Sequence, residues 1–150
     1  IYFFVLIQND YFEFVKLLCD NKFLVIDNNK NVLQYAANHN KLDFVYLLLS
    51  DINNFLPLKS FYNCSSLEKI SIPISVTEIG ESSFEGCFSL SEIDIPYSVK
   101  IIGKKAFKDC KSLETILIPQ SVNTIEEYCF YRCLSLSKVI LPSSLVSIKL

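Results

Sequence analysis

The sequence predicts an α+β repeat protein, with a helical segment over residues 1–55 followed over residues 56–150 by a solenoid of short parallel strands. Three observations predict it. Cys64, Cys87, Cys110 and Cys133 recur at a fixed interval of 23 residues. The chain between them repeats in phase, as F-x-x-C-x-S-L-x-x-I-x-I-P-x-S-V-x-x-I-G-x-x-A. Up to about Asp51, apolar residues recur instead at helical spacing. Units this short cannot bury an apolar side alone, and do so by stacking on their neighbours.

In the N-terminal segment the helical spacing is carried by Phe12, Val15 and Leu18, then by Val32, Tyr35 and Ala36, then by Phe44, Leu47 and Leu48. Asn and Asp cluster at Asp20-Asn21, Asp27-Asn28-Asn29 and Asn38 to Asn40, supplying turn and capping chemistry between short helices. Residues 9–20 align with residues 39–50 at an offset of 30, so the segment is itself repetitive. Residues 33–49, LQYAANHNKLDFVYLLL, resemble the helix pair of an ankyrin repeat. The resemblance implies close packing at Ala36 and Ala37 and an apolar face from Phe44, Val45 and Leu47 to Leu49. It departs from the family at Asn40, which stands where glycine usually ends the first helix, and at Asn31-Val32, which replaces Thr-Pro. The offset also falls short of the family period of roughly 33.

From Asp51 to Lys59 the composition shifts to Asp51, Asn53, Asn54 and Pro57, the expected junction. The helical piece is expected to pack straight onto the solenoid and cover its first apolar edge. From Phe61 onward the ladder resembles the leucine-rich repeats of BspA-like surface proteins, over about three and a half to four units. In L-x-x-I-x-I, as in Leu67 to Ile72, alternate isoleucines point inward from a short parallel strand. Pro73, Pro96, Pro119 and Pro142 end that strand because each lacks an amide donor. A second extended stretch, x-S-V-x-x-I, follows, and Gly80 or Gly103 is expected to open a turn into a helical piece such as residues 104–109. Phe84, Phe107 and Phe130 are expected to pack inward from it. In the third unit Glu126 and Cys129 replace the glycine and alanine.

At 150 residues, 51% of them hydrophobic, the chain has ample material for a core. A net charge of −2 from 14 basic and 16 acidic residues leaves no electrostatic footprint for nucleic acid. The opening apolar run, Ile1 to Ile7, is too short to span a bilayer, so no membrane insertion is expected. Because the first residue is Ile1 and Leu150 falls inside a repeat, the sequence is expected to be a piece of a longer chain, and both a cell-surface and a cytoplasmic location stay open.

The six cysteines invite a disulfide or metal reading. The ladder cysteines occupy equivalent inward positions, however, and side chains lying in parallel suit disulfide geometry poorly, so buried free thiols are expected. Serine at Cys110 is expected to leave a buried hydroxyl without an assured partner. Cys129 and Cys133 form half a zinc site at most, and His39 is the one histidine. The glycines are assigned to turns and the recurring serines (Ser66, Ser89, Ser112, Ser135 and Ser75, Ser98, Ser121, Ser144) to turn hydrogen bonds. No catalytic, cofactor-binding or metal-binding residue is assigned. Asn63-Cys64-Ser65 matches the glycosylation triplet.

What remains is a binding surface for an unidentified protein partner, and the chain is expected to be a non-enzymatic interaction module. The BspA-like resemblance implies a surface antigen or adhesion-type protein; the ankyrin-like one implies an intracellular scaffold. In the leucine-rich resemblance the outward strand residues share the concave face. They form one column of Lys69, Glu92, Thr115 and Lys138 and a second of Ser71, Asp94, Leu117 and Ile140. The second column runs from polar to apolar, which marks it as a candidate partner site. The strand at the C-terminal end is expected to leave an apolar edge open and to drive self-association.

Overall fold

The structure, a computed structural model, describes Gln8, residues 30–50 and residues 54–149. Residues 9–20, in the first half of the expected helical repeat, lie outside the described residues. Helix α1 (Lys30–Asn38) and helix α2 (Leu42–Ser50) lie in the second half. Among the described residues nine strands follow: β1 (Asn54–Leu56), β2 (Lys69–Ser71), β3 (Val76–Ile79), β4 (Glu92–Asp94), β5 (Ile101–Ile102), β6 (Thr115–Leu117), β7 (Thr124–Ile125), β8 (Lys138–Ile140) and β9 (Ser147–Ile148).

α1 stops because Asn40 takes φ 54°, a left-handed conformation that asparagine tolerates better than most residues. The Asn40 amide then donates to Ala37 (3.2 Å) and the Lys41 amide to Ala36 (2.9 Å), which satisfies two carbonyls orphaned at the helix end. Val32, Leu33, Ala36 and Ala37 from α1, with Phe44, Val45, Leu48 and Leu49 from α2, enter the same core cluster as the solenoid. Direct bonds fix the join: Gln34 Nε2 donates to the Lys59 carbonyl at 2.8 Å, and the Cys64 thiol to the Gln34 carbonyl at 3.8 Å. The helical piece therefore covers the first coil. Strand β1 lies within the expected junction and already pairs with β3.

Each coil has three sides. The x-S-V-x-x-I stretch makes the longest sheet, a parallel array in the order β1-β3-β5-β7-β9. The L-x-x-I-x-I stretch makes two separate pairs, β2-β4 and β6-β8. The strands end two residues before each proline, and the proline carbonyl accepts the amide three residues on, as in Val99 to Pro96 at 3.1 Å.

The third side differs from the sequence expectation. Residues 104–109 are successive turns rather than a helical piece. Left-handed residues recur there at two columns, Lys59, Ser82, Lys105 and Tyr128, and Asn63, Gly86, Asp109 and Arg132, which breaks any helix twice per coil. Between them the amides alternate. Those of Lys105, Phe107 and Asp109 donate to Glu127, Cys129 and Tyr131 of the next coil, while those of Ala106, Lys108 and Cys110 close turns within their own. The coils are thus hydrogen-bonded on this side too, which a helix, satisfying its own backbone, would not allow.

Gly80 and Gly103 do not open the turn by a left-handed φ; only Gly86 has one, at 78°. At Gly103 a Cβ would lie 2.8 Å from the Ile79 carbonyl, so glycine there permits close approach to the preceding coil. Glu126 keeps the same inter-coil bond, its amide donating to Ile102 at 2.9 Å as Gly103 does to Ile79 at 2.8 Å.

Candidate functional site

Every residue of the two expected columns is exposed: Lys69, Glu92, Thr115 and Lys138, and Ser71, Asp94, Leu117 and Ile140. Strand alternation puts them there, because Ile70 and Ile116 between them point into the core. Register keeps like positions side by side: Lys69 faces Glu92, Ser71 faces Asp94, Thr115 faces Lys138 and Leu117 faces Ile140. Ser71 Oγ donates to the Asp94 carboxylate at 2.8 Å. Leu117 is 60% exposed and Ile140 41%, an apolar end to an otherwise polar face.

The columns do not form one unbroken sheet. Between β2 and β4 the amides of Ser91 and Glu92 donate to the Glu68 carbonyl and that of Ile72 to Asp94. Between β6 and β8 the amides of Ser137 and Lys138 donate to Glu114 and that of Ile118 to Ile140. Among the described residues no such bonds join β4 to β6, and a cavity of about 510 Å³ opens there, lined by Ser91, Glu92, Ile93, Asp94, Glu114, Thr115 and Leu117. Sequence reasoning missed this cleft, because the repeat is as regular there as elsewhere. The acidic residues Glu92, Asp94 and Glu114, crowded across adjacent units, were its one visible signal.

The cysteines do structural work. The thiols of Cys87, Cys110 and Cys133 donate to the carbonyls of Phe61, Phe84 and Phe107 in the preceding coil, at 3.1, 3.2 and 3.0 Å. Those carbonyls also accept the Cys64, Cys87 and Cys110 amides of their own coils. The thiol column is therefore a column of inter-coil hydrogen bonds. A buried hydroxyl at Cys110 would have an acceptor within reach, contrary to the sequence expectation. Burial pushes the Cys64 thiol up to about 12 and the Cys133 thiol to about 11, and holds Cys87, Cys110 and Cys129 well above the usual thiol range, so none of these is a nucleophile near neutral pH. Cys64, Cys87, Cys110, Cys129 and Cys133 are all free thiols, the last only half-buried.

The remaining candidates disperse. His39 is exposed and stacks on Tyr35 with ring centroids 4.0 Å apart. Ser98 donates across coils to Val76 at 2.6 Å rather than within a turn, and the buried Ser121 hydroxyl has no partner among the described residues. Asn63 is exposed, and its carboxamide overlies Gly86 of the next coil.

Residues 52–150 match the family model of the BspA type leucine rich repeat region, in six copies. Among solved structures, the chain is similar to a leucine rich repeat protein of T. pallidum, at 39% identity and a TM-score of 0.62 over 63% of this chain and 44% of that one. It is similar at 36% identity and a TM-score of 0.57 to a leucine-rich repeat protein of Bacteroides ovatus, over 63% of this chain and 26% of that one. A leucine rich cell surface protein of Faecalibacterium prausnitzii gives the same figures. The chain thus spans less than half the length of these structures, at 44% and 26%. No curated protein matches it.

Proposed function

The chain belongs to the BspA type leucine rich repeat family, and from that membership we propose that it is a non-enzymatic interaction module that docks a protein partner on the face of β2, β4, β6 and β8. The observation that carries this reading is the exposure of Leu117 and Ile140 side by side on a sheet face whose other outward residues are polar. The test is the double substitution Leu117→Ser and Ile140→Ser. Both side chains are exposed, so folding is expected to stay intact while partner binding weakens. Unchanged binding by a folded variant would reject the face, and a large loss of stability would mean the pair is buried in the native assembly.

The wider setting is an adhesion-type surface protein. One of the similar structures is a leucine rich cell surface protein, which supports that setting. The alternative is an intracellular scaffold, supported by an ankyrin-like reading of α1 and α2, in which Asn40 takes the left-handed position that glycine fills in that family. Among the described residues no helix is long and apolar enough to cross a membrane. Protease accessibility of the epitope-tagged protein on intact cells separates the two settings. Self-association through the C-terminal coil is the second contact we propose, supported by exposed Val139, Leu141 and Ile148. A monomeric mass by light scattering at tens of micromolar would reject it.

A further inference from the structure

The break between β4 and β6 changes what the exposed face can recognise. At the two flanking interfaces the carbonyls of Glu68 and Glu114 each accept two amides, and those of Asp94 and Ile140 one each. At the break, the equivalent carbonyls of Ser91 and Leu117 accept none among the described residues. Polar backbone groups at a protein surface seek partners in the solvent or in a ligand. Around them stand three carboxylates, Glu92, Asp94 and Glu114, with no ion pair among the described residues. The cations of this face, Lys69 on β2 and Lys138 on β8, sit on the outer strands of the two pairs, each one strand away from the cleft. Among the described residues the same break leaves the amides of Ile95, Glu114 and Thr115 without the inter-coil bonds that their equivalents make, but the three carboxylates tip the cavity of about 510 Å³ between β4 and β6 toward acceptors, and its lining carries no basic side chain. Leu117, 60% exposed, forms one wall, and Ile140 continues it outward.

We propose that this cleft receives an arginine side chain from an extended segment of the protein partner, with an apolar residue beside that arginine seated on Leu117 and Ile140. A guanidinium brings five donors in a planar fork and no acceptor, which complements carboxylates and free carbonyls together. Its aliphatic stem suits a wall of leucine, and its weak hydration makes it cheaper to desolvate than an ammonium. The inference rests on the docking face proposed above and names the chemistry that the face selects.

The test uses the 150-residue chain and capped pentapeptides with a central arginine between leucines, compared with peptides carrying citrulline or glutamate at the centre. Amide chemical shifts report where each peptide binds. The arginine peptide should perturb Ser91 to Asp94 and Glu114 to Leu117 and bind about tenfold more tightly than its citrulline isostere. Glu92→Gln combined with Glu114→Gln should remove that preference, and both positions are exposed, so a dispersed spectrum is expected. Equal affinity of arginine and citrulline peptides at this face would overturn the inference and leave the docking face standing. Shifts confined to the other sides of the coil would overturn both. Absence of any saturable shift with the arginine peptide overturns the inference, as does an arginine preference that survives the double substitution.

Discussion

The inner coils and the last coil carry the same columns of the repeat and bury them very differently. Ile116, Ile118 and Ile125 are 1%, 1% and 2% exposed, while their equivalents Val139, Leu141 and Ile148 are 38%, 46% and 48% exposed. All are apolar and occupy strand or strand-end positions of the same register. The difference is the neighbour: the inner residues have a coil on each side, and the last coil has one. At the other end of the stack α1 and α2 supply the covering surface, and Leu67, Ile70 and Val76 of the first coil are buried. In a solenoid, burial is thus a property of the interface rather than of the residue.

The largest effect should come from the centre of the aromatic stack. Phe107 is fully buried between Phe84 and Phe130, with centroids 5.4 and 5.7 Å away and rings within 7° and 4° of parallel. Phe107→Ala should cost about 3–5 kcal/mol in urea denaturation. A loss under about 1 kcal/mol would mean that the coils do not share a core there.

A sharper form of the comparison uses one column. Ile118→Ala should cost about 2–4 kcal/mol, whereas Leu141→Ala should cost less than about 1 kcal/mol. If both cost the same, the last coil is covered in solution, and the two-ended contrast fails. The thiol column offers a smaller version. Cys110→Ser keeps an acceptor at the Phe84 carbonyl but must reach it with a shorter bond, so about 1 kcal/mol should be lost, and Cys133→Ser, half-buried, should cost less.

Effects of pH should be the smallest near neutrality. Thiols in the unfolded chain ionise from about pH 8.5, whereas the folded Cys64 is held up to about 12 and Cys133 to about 11 by burial. Because the folded values are raised, their contribution is complete below the unfolded value. It is lost progressively as pH rises through 9 toward the folded values of about 11 and 12. Thermal melts at pH 7 and 10 should show this decline. Alkylation of the native protein should reach Cys133 before Cys110, and the reverse order would contradict the burial gradient. At the acid end, burial alone would raise the Glu85 carboxyl, but hydrogen bonds from Lys108 and Ser82 more than offset it and hold it below the usual range. That contribution is complete above the ordinary carboxylate value and fades as pH falls through the depressed one. Glu85→Gln should therefore flatten the acid limb of the stability profile.

The repeat fixed the register, the inward isoleucines and phenylalanines, the free cysteine column and the eight exposed strand residues. It could do so because side-chain direction along a strand has a period of two and each coil copies the last. The helix end at Asn40 was also visible, since few residues other than glycine tolerate that conformation. Tertiary structure decided the rest. Turns replace the expected helical piece because the left-handed column of Lys59, Ser82, Lys105 and Tyr128 carries no mark in its side chains, unlike that of Asn63, Gly86 and Asp109, and takes that conformation when the amides that follow bond to the adjacent coil. The thiol bonds to the phenylalanine carbonyls, the close approach at Gly103 and the open cleft between β4 and β6 likewise depend on distances between coils. A one-dimensional repeat specifies what each coil presents to its neighbours, and only stacking in three dimensions decides which of those groups meet.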